Sequence, residues 1–334
     1  MCITDLLRPD RAERWAVILA GGDGTRLRPL TRLIAGDERP KQFCPIFGGA
    51  TLLDQTLRRV ALAVPRHRTM VVVTEAHRRF YLPLVALGGV PSKQVIVQPG
   101  NQGTAPAILY SLLRLAGRAP DASVAFFPSD HYFSDEKKFM SYVESAFEAV
   151  EFCPELVTLL GVTPEGPEVD YGWIEPAQAA LGRSALSLRR VHRFWEKPSL
   201  PVAQSLMERG CLWNSFVMVG RVQTFLEMIR RATPDLYDGF TAIQSDLHTA
   251  DETRGVQALY SRLPSTNFSQ QVLALRPADL AVLPVSGVGW SDWGEPRRVL
   301  SDLRRMKRGA DWRPTPPRAL SVDQQRSWKI STVA

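Results

Sequence analysis

Trp15–Ala20 (WAVILA) is a short, continuously apolar run that stops at Gly21-Gly22. It reads as a buried strand opening into a glycine loop. Runs of the same kind recur at Thr69–Thr74, Gln94–Val97, Ser123–Phe127 and Leu156–Val162. Between them lie segments with helical spacing: Thr51–Ala63, about Thr104 to Leu115, and Glu136–Glu151. Strands alternating with helices require βαβ units and a largely parallel sheet. Both faces of such a sheet are covered, so its strands are apolar throughout instead of at every second residue.

After Pro164 the pattern loosens. Tyr171–Glu175, Ser187–Trp195, Leu212–Val219 and Leu280–Val285 read as strands, and Pro201–Arg209, Val222–Ala232 and Glu295–Arg305 as helices. No linker marks a boundary, so these segments are expected to be insertions and return strands around the first sheet. The expected fold is a single α/β domain over residues 14–308. It has a mixed, mostly parallel central sheet flanked by helices and a small inserted β region. Residues 1–13 are an N-terminal extension and 309–334 a tail.

Composition narrows the class. Apolar residues make up 45% and charged residues 22%, the balance of a globular domain and not of a disordered or fibrous chain. No apolar run reaches the roughly 18 residues of a membrane span, and the first fourteen residues hold no apolar core of secretory length. Cys2, Cys44, Cys153 and Cys211 are far apart and form no CxxC pair. A zinc site or disulfide framework is therefore not expected, and a reducing cytoplasm is. Forty-one Lys and Arg against 34 Asp and Glu give a net charge of +7. The excess is spread out, densest over Arg297–Arg313, and reads as a solvated basic surface with no nucleic-acid or membrane partner. The oligomeric state is left open, a homo-oligomer included.

The segment richest in chemistry is Leu19–Phe43, LAGGDGTRLRPLTRLIAGDERPKQF. Gly21, Gly22 and Gly24 let backbone N–H groups approach a phosphate chain closely. Thr25 and Arg26 follow, and Lys41 closes the segment, so two cations can converge on one polyanion. It is neither a Walker loop, since GKS or GKT is absent, nor a G-x-G-x-x-G dinucleotide fingerprint, which disfavours an oxidoreductase. Further on, Gln98–Ala107 (QPGNQGTAPA) leads from a strand into a helix, placing Gly103 and Thr104 where N-terminal amides are free. Phe127–His131 (FPSDH) puts Asp130 just beyond a strand's carboxyl end, where α/β sheets bind ligands. Asp is a hard oxygen ligand suited to Mg²⁺.

These segments together resemble the sugar-1-phosphate nucleotidyltransferases, whose loop reads GGxGxRLxPLT followed by PK. The Pro40-Lys41-Gln42-Phe43 ending is similar to the bacterial mannose-1-phosphate guanylyltransferase branch, and the resemblance spans roughly Trp15–Leu303. It implies a nucleotide-binding domain with its inserted β region on the sugar side, acting on GTP and mannose 1-phosphate. By resemblance Gln98, Gly103 and Thr104 recognise the base. Asp130, with Asp292 of Gly289–Gly294 (GWSDWG), holds Mg²⁺. Glu196 and Lys197 of WEKP hold sugar hydroxyls and the sugar phosphate. Gly172 and Glu175 of DYGWIE, and Asn214 of LWNS, face the sugar. Arg26, Lys41, Asp130, Lys197 and Asp292 are then the catalytic set, and His131 is a packing neighbour.

The chain departs from that pattern at named places. Gln102-Gly103 stands where the guanylyltransferases have Arg-Asn, Phe216 where they have Gly, and Asn267-Phe268 where they show Asp-Tyr. Two other readings therefore stay open: a dTTP and glucose 1-phosphate type of transferase, and a non-catalytic homologue that binds sugar nucleotide. The roughly 30 residues after Leu303 are too few for the isomerase domain that such guanylyltransferases often carry, so that activity is not expected.

Overall fold

The computed structural model describes residues 13–46, 49–86, 89–181 and 187–307. The expected N-terminal extension and C-terminal tail lie almost wholly outside them. Among the described residues the strands and helices alternate through the first half. They are β1 (Arg14–Leu19), α1 (Arg28–Ala35), α2 (Leu52–Val60), β2 (Thr69–Thr74), α3 (Arg78–Ala86), β3 (Val95–Gln98), α4 (Thr104–Ala116), β4 (Ser123–Pro128), the two-residue β5 (Tyr132–Phe133), α5 (Glu136–Phe152) and β6 (Val157–Val162). The second half contributes β7 (Gly172–Ala180), β8 (Arg189–Glu196), α6 (Leu200–Glu208), β9 (Leu212–Arg221), α7 (Val222–Ala232), α8 (Pro234–Thr241), α9 (Glu252–Tyr260), β10 (Leu280–Val285), the two-residue β11 (Trp290–Ser291) and α10 (Pro296–Lys307).

Nine of these strands form one sheet in the order β3-β2-β1-β4-β9-β6-β10-β8-β7. β1 pairs in parallel with β2 and β4, and β6 in parallel with β10. β8 and β9 run against their neighbours. The sheet is mixed, as the loosened second half implies. β1, β2, β4 and β6 are buried along almost their whole length. Two apolar layers cover its faces. One is centred on α4, α7 and Phe126, the other on α2, α5 and Phe127.

Local chemistry sets the ends of the elements. The helix expected over Thr51–Ala63 begins at Leu52 because Thr51 is its cap. Thr51 Oγ1 accepts from the Asp54 N–H at 3.1 Å, and the Thr51 N–H donates back to Asp54 Oδ2 at 3.0 Å, a reciprocal box that satisfies two amides no helix can pair internally. β8 ends at Glu196. Lys197 turns to a φ of 47°, so the chain leaves the extended path of the strand there.

Two features of the strand arrangement open the cleft. The first is β9, which has two different neighbours on one edge. Its C-terminal half pairs with β4 (Phe126 opposite Met218), while its N-terminal end pairs with β7 (Trp173 opposite Trp213). Where it changes partner, Phe216 adopts a φ of 59° and the β6 register shifts between Leu159 and Gly161. The second is a ribbon outside the sheet: β5 and β11 pair antiparallel, Phe133 opposite Trp290 and Tyr132 opposite Ser291. It draws the residue after β11, Asp292, back beside the loop after β4 that carries Asp130.

Candidate active site

A cleft of about 370 Å³ lies beyond the carboxyl ends of β1 and β4, bounded on its far side by β7 and β9. Gly21 and Gly22 line it from the first loop, Gln98, Gly103 and Thr104 from the entry to α4, and Asp130 and His131 from the loop after β4. Gly172, Glu196 and Asn214 line the opposite end, and Asp292 the middle. Ten of the candidate residues thus converge from separate elements. Gly24, Thr25, Arg26, Lys41, Glu175 and Lys197 are not part of the lining.

The glycine loop is held from outside. Gln42 Nε2 donates to Ala20 O at 2.9 Å and Gly22 O at 2.7 Å. Thr74 Oγ1 donates to Gly21 O at 3.0 Å. A Cβ on Gly21 would lie 2.8 Å from Gln98 Nε2 and 2.9 Å from Thr74 Oγ1, so any larger residue would have to displace both side chains. Asp23 is anchored by Asn101 Nδ2 at 2.9 Å and His77 Nε2 at 3.2 Å. Arg26, in the short turn that follows, is solvent-exposed at the loop's outer end.

Lys41 departs from its expected place. It is 9% exposed, and its ammonium reaches Asp130 Oδ2 at 3.2 Å, Asp292 O at 2.6 Å and Trp293 O at 3.1 Å. An ammonium has three N–H donors, and here all three are committed. Lys41 therefore pins the Asp130 loop to the Asp292 loop and does not extend into the cleft.

Asp292 is the most elaborately held carboxylate of the site. Its Oδ1 accepts from the Gly294 N–H at 2.8 Å, Arg298 Nη1 at 2.9 Å and the Tyr171 hydroxyl at 3.1 Å. Burial alone would raise its pKa, but the Lys41 ammonium, the Gly294 amide and the Arg298 guanidinium outweigh it and hold the carboxyl below its usual value. Oδ2 takes no protein donor among the described residues. Asp130 keeps Oδ1 similarly open, with His131 Nε2 3.9 Å away. Burial pushes the pKa of His131 down to about 4, and its Nδ1 accepts from Trp290 Nε1 at 3.2 Å. It is neutral, and its ring packs edge-on against Trp290. Two hard carboxylate oxygens facing one cleft suit Mg²⁺, which takes one or two carboxylates and fills its other positions with water and phosphate oxygens.

Arg298 and Tyr171 have no counterpart among the residues singled out from the sequence. The other guanidinium nitrogen of Arg298 bonds Glu168 Oε2 at 2.7 Å and Asp170 Oδ2 at 3.4 Å. The guanidinium also lies 4.4 Å from the Tyr171 ring centroid. One side chain thus ties α10, the Asp292 loop and the Glu168–Tyr171 loop together. The only sequence signal was an arginine in a basic stretch. Replacing Arg298 by Met should cost about 2 kcal/mol, the half-exposed Glu168 and Asp170 contributing little, and lower Tm by about 5 °C at pH 7. Because the Asp292 pKa is depressed, its contribution is complete above the unfolded value and disappears as pH falls through the folded one. The deficit should stay constant from pH 8 to pH 5 and fade only below about 3.9. A thermal-melt series in which the deficit disappears by pH 6 would exclude this pairing as its source.

Glu175 also lies away from its expected place. Glu175, expected to accept from sugar hydroxyls, bonds Arg209 Nη1 at 2.6 Å and Trp195 Nε1 at 3.0 Å, outside the cleft. Three residue-pairs along the same hairpin, Gly172 opposes Glu196, and both line the cleft. Burial raises the Glu196 carboxyl while Lys197 lowers it, with a net rise. Lys197 is exposed beside it, its N–H bonded to Tyr171 O at 3.2 Å.

The entry to α4 is more occupied than a simple helix N-terminus. The Gly103 N–H donates to Asn101 Oδ1 at 3.1 Å and the Ala105 N–H to Thr266 O at 3.0 Å, while Pro106 has no N–H to give. Of the two amides expected to be free there, that of Gly103 is thus taken, and so is that of Ala105. Segment 264–269 packs directly on this loop, and Phe268 N–H donates to Thr104 Oγ1 at 2.9 Å. Asn267 caps the π-helical turn Ser269–Leu273 by accepting from the Gln270 N–H at 3.1 Å. Asn267 and Ser269 line the cleft.

Residues 15–306 match the family described as nucleotidyl transferase. The xanthan biosynthesis protein XanB of Xanthomonas campestris is 35% identical over 280 residues, 83% of this chain and 57% of that protein. The mannose-1-phosphate guanylyltransferase of Escherichia coli is 30% identical over 291 residues, 85% of this chain and 58% of that protein. The chain thus spans less than two thirds of these relatives. Among solved structures, a Thermus thermophilus protein described as a mannose-1-phosphate geranyltransferase superposes with a TM-score of 0.73 at 28% identity, covering 86% of this chain and 79% of that one.

Proposed function

The chain belongs to the nucleotidyl transferase family, and we propose that it joins GTP to mannose 1-phosphate, forming GDP-mannose and releasing pyrophosphate. The observation that carries this reading is the β5–β11 ribbon, which sets Asp130 and Asp292 in one cleft between a glycine loop and the Glu196–Asn214 end. Relatives described as a mannose-1-phosphate guanylyltransferase and as a xanthan biosynthesis protein support it.

The chemistry asks little covalent work of the protein. A phosphate oxygen of the sugar 1-phosphate is already an anion and attacks the α-phosphorus in line. The bond to the β,γ-pyrophosphate breaks, and no enzyme nucleophile is required. What the chain supplies is placement of two anions and neutralisation of the charge that develops. Gly21 and Gly22 offer backbone to the triphosphate, with Arg26 at the outer end of the loop. Lys197 approaches the sugar phosphate and Glu196 and Asn214 the hydroxyls. Asp130 and Asp292 would hold Mg²⁺, which when bound neutralises phosphate oxygens and aligns them. Lys41 keeps the two acid loops in register. Among the described residues no helix is long and apolar enough to cross a membrane.

A screen of pyrophosphate release, four nucleoside triphosphates against a panel of sugar 1-phosphates with and without Mg²⁺, tests the reading. Release should be greatest with GTP and mannose 1-phosphate and require the ion. Maximal release with dTTP and glucose 1-phosphate would favour the other transferase reading, for which Asn267 and Phe216 in the cleft wall are the motive. Binding of GDP-mannose with no release under any pairing would make the chain a regulator. Within this reading, Lys197→Met keeps bulk and removes charge at a backbone φ that already accommodates a side chain. Turnover should fall about 10²-fold while GTP affinity by calorimetry stays within threefold. An equal loss in both would move Lys197 to the nucleotide.

A further inference from the structure

Phe216 is a bulky residue at a φ of 59° on the wall of the cleft. The left-handed region disfavours any side chain with a Cβ, and for a large apolar residue it is a genuine outlier. Glycine would follow the same backbone without strain. What the position provides beyond glycine is therefore the ring, and strain of this kind belongs to sites whose surroundings force it.

Those surroundings are specific. Asn214 and Phe216 lie two residues apart on β9 and both line the cleft, while Ser215 between them turns inward and donates to Leu160 O at 2.6 Å. The Phe216 N–H donates to Asn214 Oδ1 at 3.0 Å, so one bulge orients both side chains and leaves Asn214 its Nδ2 donors. The Phe216 ring packs edge-on against Phe268, with centroids 6.4 Å apart. Phe268 is fully buried and pinned through its own N–H to Thr104 Oγ1. A close-packed interior behind the ring leaves it little room to retreat. At about 370 Å³ the cleft is also at the small end of ligand pockets.

Resting on the transferase reading above, we infer that Phe216 determines selectivity for the sugar phosphate: its ring, backed by Phe268, excludes hexose 1-phosphates that carry a substituent larger than hydroxyl. The substrate class is the unsubstituted hexose 1-phosphate, and a 2-acetamido hexose 1-phosphate is rejected by contact with the ring.

The test is the ratio of kcat/KM for mannose 1-phosphate to that for N-acetylglucosamine 1-phosphate, with GTP, measured for wild type, F216A, F216G and F216L. Both constants come from one preparation, so the folded fraction cancels and partial misfolding does not alter the ratio. F216A and F216G should reduce it about 10-fold or more by admitting the larger sugar, and F216L, which restores bulk, should keep it close to wild type. A ratio unchanged in F216A, or lost equally in F216L, overturns the assignment. The same two sugar phosphates titrated by calorimetry give a binding ratio that does not need turnover. Absent turnover with a binding ratio that collapses in F216A would refute the transferase reading and uphold the wall. Turnover with ratios insensitive to F216A would refute the wall alone.

Discussion

Asp292→Asn and Asp130→Asn should each lower kcat/KM for pyrophosphate release by about 10³-fold, with Tm within a few degrees of wild type. The substitutions are nearly isosteric, and the surroundings allow the fold to survive. At Asp292 the amide oxygen can take the Oδ1 position and still accept from Gly294, Arg298 and Tyr171. The NH2 group then occupies the Oδ2 position, which takes no protein donor among the described residues, and turns an anionic oxygen facing the cleft into a donor. At Asp130 the oxygen can remain toward Lys41 Nζ, 3.2 Å away. Each change therefore removes one hard ligand and one negative charge with little else. Calorimetric titration with Mn²⁺ should show the same loss without any substrate present. If both variants bound Mn²⁺ and turned over as wild type does, the two carboxylates would have no share in the reaction.

The sequence contained the strands of this fold more openly than the site. Runs such as TMVVVT and SVAFF are apolar on both faces because the strands they form are covered on both faces, and their shortness and β-branched or aromatic residues favour strand over buried helix. Four helices escaped notice, α1, α3, α8 and α9, and two of them have weak signals. α3 contains Pro83, and α8 runs only from Pro234 to Thr241. The meeting of Asp130 with Asp292 could not be read from spacing. It depends on a ribbon two residues long on each side, too short to leave any periodicity, and only the resemblance anticipated it. Lys41 shows the opposite failure. A Pro-Lys after a glycine loop suggests a phosphate contact, but residue order cannot tell which way a four-carbon stem turns, and here it turns toward Asp130 and two carbonyls. Arg298 was invisible for a related reason. It lies within a basic stretch that reads as solvated surface, and nothing local indicates that its fork would close on Asp292 and Glu168.

Gly103→Asn moves the chain toward the guanylyltransferase pattern, where Asn stands at this place, and should nevertheless damage it. Gly103 has φ 87° and ψ −177°, a region essentially reserved for glycine. A Cβ there would be driven into the Thr266 carbonyl oxygen and would lie 2.8 Å from its carbon. Thr266 cannot move aside cheaply. Its N–H is bonded to Gln102 O at 2.9 Å and its carbonyl accepts from the Ala105 N–H at 3.0 Å, so the contact is bracketed on both sides. The loop and segment 264–269 form one interlocked wall, and the departures at Gly103, Asn267 and Phe268 all fall within it. Backbone strain and the displaced carbonyl together should cost about 3 kcal/mol and lower Tm by about 5–10 °C. Because Thr104, Asn267 and Ser269 shift with the wall, kcat/KM for the nucleotide should fall about 10²-fold, the penalty expected for a displacement near 1 Å. The double substitution of Gly103→Asn with Thr266→Gly should recover little, since the clash is with backbone and not with the Thr266 side chain. A G103N protein with wild-type Tm and nucleotide KM would show that the two segments do not interlock.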